Sequence, residues 1–90
     1  MGQVVATIKV MPEGVEVNLE ELKEKVSEIL KDKVEIGKIE EEEIAFGLKS
    51  VNFVIVADET KGSLDPLADE IGNIDGVKSA EITNVTRAMG

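Results

Sequence analysis

The 90-residue chain contains no cysteine, histidine, tryptophan or tyrosine. Without cysteine there is no disulfide framework, no thiol nucleophile and no zinc or iron–sulfur site. Without histidine the chain lacks the side chain best suited to proton transfer near neutral pH. These absences remove most common catalytic arrangements before any motif is sought, and they point away from an enzyme. Long apolar runs are missing too: none approaches the roughly 20 residues that span a bilayer. The N-terminus has no basic segment followed by an apolar one, so no signal peptide is predicted and a soluble, cytoplasmic protein is expected. Basic residues are scarce, 10 Lys and Arg against 19 Asp and Glu, for a net charge of −9. That balance argues against direct nucleic-acid binding, which depends on clustered Lys and Arg. It suits either a basic partner surface or solubility alone.

What remains is 42% apolar, ordinary for a globular chain, but built from Val, Ile, Leu, Ala and Met. A length of 90 residues predicts one domain over 1–90, with a single modest core. In "VVATIKVM", Val4, Ala6, Ile8 and Val10 fall on one side at period two, which predicts a first strand. "PEGVEV" breaks that pattern. Asn18 then precedes Glu21 by three residues, as in a capping box, and "LEELKEKVSEILKD" carries Leu19, Leu22, Val26, Ile29 and Leu30 on one helical stripe. A second strand should begin near Val34, with a bulge around Gly37, and Glu40 to Glu43 either continue it or lead into a turn.

From Leu48 the chain alternates, then is apolar almost without break from Phe53 to Ala57, which predicts a central strand buried on both faces there. "DETKGS" reads as a loop, and Ser63 or Asp65 is positioned to cap a second helix with Leu64, Leu67, Ala68 and Ile71 inward. "VKSAEITNVTRAM" predicts the last strand. The order strand, helix, strand, strand, helix, strand is that of an α+β, ferredoxin-like βαββαβ sandwich: a four-stranded antiparallel sheet with two helices on one face. Strands one and three would lie in the middle.

Several clusters have a functional reading and a plainer one. Glu40 to Glu43 offer oxygen ligands to a hard cation, but alternate strand positions face opposite ways and no glycine-bearing calcium loop surrounds them, so a solvated strand end is preferred and no metal site is expected. "DETKG" lacks the spacing of a phosphate-binding loop. Asp65 and Asp69 stand four apart on a helix with no sign of a dry pocket, and are not expected to act as acid and base. Arg87 is the one arginine of the chain. It is either a frayed terminal charge or a bidentate donor offered to a partner.

Only two aromatics exist, Phe46 and Phe53. Phe53 sits in an apolar run, where a core residue is expected. Phe46 sits beside Gly47, at the predicted hairpin between strands two and three. It is either an interaction anchor or a ring folded back over the open end of the sandwich.

"IAFGLKSVNFVIVADE", then "LDPLADEI", then a last strand ending in a basic residue, resembles the guanine nucleotide exchange domain of translation elongation factor 1-beta in its short archaeal form, over essentially the full chain. The family pattern of aromatic, Gly, Ile or Leu, then Lys falls on Phe46, Gly47, Leu48 and Lys49. The resemblance implies exchange of GDP for GTP on the GTPase elongation factor 1-alpha, with no cofactor and no covalent chemistry of this chain's own. It implies partner contacts through Phe46, Gly47 and Lys49, the aromatic docking in a pocket of the GTPase. It also implies that Arg87 reaches toward the nucleotide's magnesium site, where eukaryotic relatives have lysine. Three other readings share the topology. A small-molecule-binding regulatory domain is the alternative function, an RNA-binding sheet would need paired aromatics and a basic sequence, and a metal chaperone would need cysteines.

Overall fold

β1 (Gln3–Pro12), α1 (Leu19–Lys31), β2 (Glu35–Ala45), β3 (Leu48–Asp58), α2 (Asp65–Gly72) and β4 (Val77–Ala88) follow one another along the chain. They come from a computed structural model that describes residues 2–58 and 64–88. The strands form one antiparallel sheet in the order β2-β3-β1-β4, so the first and third strands are central, as the apolar pattern predicts. This is the ferredoxin-like arrangement.

The period-two pattern of β1 places Ala6, Ile8 and Val10 in the core, opposite Ile55, Phe53 and Val51 of β3. Residues directly opposite in an antiparallel pair share a face, and the helices cover this one. Leu22, Val26 and Leu30 of α1 and Leu67 and Ile71 of α2 join the same cluster. Leu19, Ile29 and Leu64 pack at its margin. Asn18 caps α1 as expected, its side chain accepting from the backbone N–H groups of Glu20 and Glu21 at 2.9 and 3.4 Å.

Two expectations need adjustment. The apolar run in β3 is not buried on both faces. Val51, Phe53, Ile55 and Ala57 are buried, whereas Val54 and Val56, which alternate with them on the opposite face, are only half-buried. The second helix is not capped by Asp65, which is its first helical residue; the cap position is Leu64, which makes no side-chain cap bond. Ser63 and most of the "DETKGS" stretch, residues 59–63, lie outside the described residues. The bulge is where the parity change puts it: the β2–β3 register slips between Ile36 and Lys38, leaving Gly37 as the extra residue. Glu40 to Glu43 continue β2 rather than forming a turn.

Candidate functional site

β1 makes its last pair with β3 at Val10 and Val51, yet β2 and β3 continue pairing out to Ala45 and Leu48. The hairpin therefore runs beyond the last β1–β3 pair by the stretch from Ser50 to Leu48, about 10 Å at strand rise, while β1 itself continues to Pro12 only along β4. Every residue from 37 to 47 is exposed. The molecule is correspondingly elongated, 42 × 20 × 17 Å.

At the tip, Phe46 and Gly47 make the turn. Gly47 has φ +76°, in the left-handed region that glycine enters without a Cβ clash, which closes so short a loop. A register slip between Glu43 and Ala45 adds Ile44 as a second bulge just before the turn. Phe46 is 103% exposed, so its ring rests on nothing among the described residues. The folded-back alternative is thereby removed.

One cluster ties the arm to the body. Glu41 points to the helix-covered face, paired with Val51, and its carboxylate accepts a hydrogen bond from Lys23 Nζ of α1. Lys49 Nζ stands 4.0 Å from the other carboxylate oxygen. The Lys23 hydrogen bond, reinforced by the same positive charge, holds the Glu41 carboxyl below its ordinary value. The same bond raises Lys23. The glutamate run thus divides as strand geometry demands: Glu41 meets α1, while Glu40 pairs with Lys38 at 3.2 Å on the other face. Among the described residues no group of three His, Cys, Asp or Glu could hold a metal ion.

The sequence-predicted site residues do not all converge. Phe46, Gly47 and Lys49 share the hairpin tip. Arg87 lies on β4 opposite Val4, in paired strand rather than frayed chain, and is exposed. Val4 also faces Ala57, so Arg87 sits at the far end of the sheet from the Leu48 level, about 30 Å away at strand rise. Antiparallel register alone sets that distance.

Sequence reasoning missed Val15. It lies in the turn between β1 and α1, is 66% exposed, and places a methyl 3.9 Å from the point where a side chain on Gly47 would begin. The available signal was a lone apolar residue among acidic and glycine positions in "PEGVEV".

Fold and site together define a small α+β sandwich with an apolar hairpin tip at one end and a basic residue at the other. The family profile described as the EF-1 guanine nucleotide exchange domain matches residues 5–88, and the chain belongs to that family. It is 44% identical over 89 residues to elongation factor 1-beta of Methanothermobacter thermautotrophicus, covering 99% of this chain and 100% of that one. With the elongation factor 1-beta of Pyrococcus abyssi it shares 40% identity over 85 residues, 93% of either chain. In fold it is similar to the ACT domain from GTP pyrophosphokinase of Chlorobium tepidum, with a TM-score of 0.65, 20% identity and coverage of 90% of this chain and 99% of that one. That likeness is one of fold alone. No helix among the described residues is long and apolar enough to cross a membrane.

Proposed function

We propose that this chain promotes exchange of GDP for GTP on elongation factor 1-alpha, without covalent chemistry of its own. The observation that carries the reading is Phe46: an aromatic fully exposed at a glycine turn, in a chain of the exchange-domain family. Desolvating a phenyl ring is favourable wherever a partner offers an apolar pocket. An aromatic of this kind commonly supplies about 2 kcal/mol or more of interface energy.

Exchange is differential binding. The factor accelerates release only by binding the nucleotide-free GTPase better than the GDP-bound one. By linkage, nucleotide weakens the factor as much as the factor weakens nucleotide, so rebinding of GTP ejects it. Phe46 supplies docking energy. Arg87 supplies a cation that competes with the partner's metal ion for its carboxylate and phosphate ligands. The two groups stand about 30 Å apart at strand rise, so they act on separate regions of the GTPase and their effects separate kinetically.

The test is release of a fluorescent GDP analogue from the cognate elongation factor 1-alpha. Substoichiometric amounts of this chain should accelerate release. Arg87→Ala should lower the maximal release rate with little change in the concentration giving half of it. No acceleration, with both proteins folded, would reject the reading.

A further inference from the structure

Five large hydrophobic residues stand out as exposed among the described residues: Val15, Ile39, Ile44, Phe46 and Val85. Val15, Ile44 and Phe46 belong to the hairpin end, from two segments far apart in sequence. Val15 contributes nothing to the core at 66% exposure, and a β-branched residue gains nothing from a turn, where Gly, Asn, Asp and Ser are favoured. Its position is nevertheless fixed. The backbone N–H of Glu13 donates to the Gly76 carbonyl at 2.9 Å, and that of Val17 to the Gly14 carbonyl at 3.3 Å. Val17 packs against the core. Val15 is thus held out toward solvent by a turn pinned on both sides, beside the hairpin that carries Phe46.

The surroundings are acidic. Glu13 and Glu16 flank Val15, Glu42 and Glu43 precede Ile44, and all are exposed. Among the described residues none of these carboxylates makes an ion pair, and Lys49 of the same hairpin stands 4.0 Å from Glu41. An apolar centre inside a charged, hydrated rim is the usual composition of a protein interface. A rim of unpaired carboxylates fits a partner cleft edged by lysine or arginine.

We infer that the docking surface is bipartite, with Val15 of the β1–α1 turn as a second apolar anchor beside Phe46, and that it seats in an apolar cleft of the GTPase rimmed by basic side chains. This rests on the exchange reading above. A preset turn adds apolar area at little ordering cost, because its backbone is already bonded to the body. The carboxylates act chiefly on association rate, and salt screens them.

The test uses the full chain and the same GDP-release titration. Val15→Ser, and the shape-preserving Val15→Thr, should leave the melting temperature unchanged and raise the half-maximal concentration about fivefold. Replacing Glu13 and Glu16 by Gln should slow association at low salt, with the difference fading at high salt. If Phe46→Ala weakens docking while both Val15 variants match the parent, the second anchor is overturned and the exchange reading stands. If the parent chain does not accelerate release, both fall together. A charge-independent association rate would overturn the basic rim.

Discussion

Phe46 and Phe53 are chemically the same residue, seven positions apart on one hairpin, and they end at 103% and 0% exposure. Phe53 lies where β3 has β1 on one side, β2 on the other and both helices below, opposite Ile8 and Ile39. Phe46 lies where the strand pair has outrun β1. The difference is one of neighbours, not of residue preference. A ring gains its hydrophobic energy wherever it meets apolar surface, and at the tip none of the described residues covers the ring. The body stores folding energy; on the exchange reading proposed above, the tip keeps the same kind of energy for a partner.

The comparison breaks most visibly at Phe53. Phe53→Ala should cost about 3–5 kcal/mol, the range for emptying a buried phenylalanine site. That is a large fraction of the 5–15 kcal/mol a domain of this size commands. Urea denaturation should show the loss in the midpoint with an unchanged slope. Phe46→Ala should do the reverse. Its stability should stay within about 0.5 kcal/mol of the parent, while half-maximal GDP release should require about 30-fold more protein, the equivalent of 2 kcal/mol. A variant that loses stability in step with exchange would return Phe46 to the core and erase the contrast.

The body was more legible in the sequence than the tip, for a physical reason. Periodicity reports burial, and burial is what the core residues share: Ala6, Ile8 and Val10, then Leu22, Val26 and Leu30, could be read from spacing. The parity change at Gly37 carried the bulge. What spacing does not carry is which face a second layer covers, so Val54 and Val56 were read as buried when they are only half so. Nor does it carry contacts between distant segments. Val15 against Gly47, Lys23 on Glu41, and the separation of Phe46 from Arg87 all depend on register and docking. Phe46, Gly47 and Lys49 were legible as one hairpin tip because they are consecutive or nearly so. The role proposed for them comes from resemblance, since an exposed ring leaves no periodic signature.

Gly47 sharpens the contrast from the tip's own side. At φ +76° an alanine would sit in a region where its Cβ crowds the backbone, at about 1 kcal/mol. Space is not the obstacle, since the nearest atom to an added Cβ is a Val15 methyl at ordinary contact distance, 3.9 Å. Gly47→Ala should therefore lower the urea midpoint modestly, and Gly47→Asn, which tolerates this conformation, should lower it less. Equal losses for the two would mean packing, not backbone strain, governs the turn.

The smallest effect belongs to the joint between the two regions. Glu41 is the residue of the arm that a helix holds, through Lys23. Its carboxyl titrates below the ordinary 4.5, so the unfolded chain binds the proton more readily than the folded one. The stability this supplies is present above about pH 4.5 and is lost as pH falls through the lower folded value. Lys23 has the opposite sign: raised above 10.5, it contributes below that pH and loses the contribution only as pH climbs through the folded value. Between these limits the clasp is intact and nearly flat with pH. Both groups are partly solvated, so the effect is small and screened by salt. Glu41→Gln should accordingly melt slightly below the parent at pH 7, and the gap should shrink as pH falls below 4.5 and close only where Glu41 is protonated in both folded and unfolded states, at about pH 2. The gap should narrow in high salt. Hydrogen exchange of β2 amides should report looser pairing beyond Glu41 in the variant at pH 7, while amides around Phe53 stay as protected as before. If protection changes equally at both places, the arm is no separate region and the contrast between the two phenylalanines is only one of exposure.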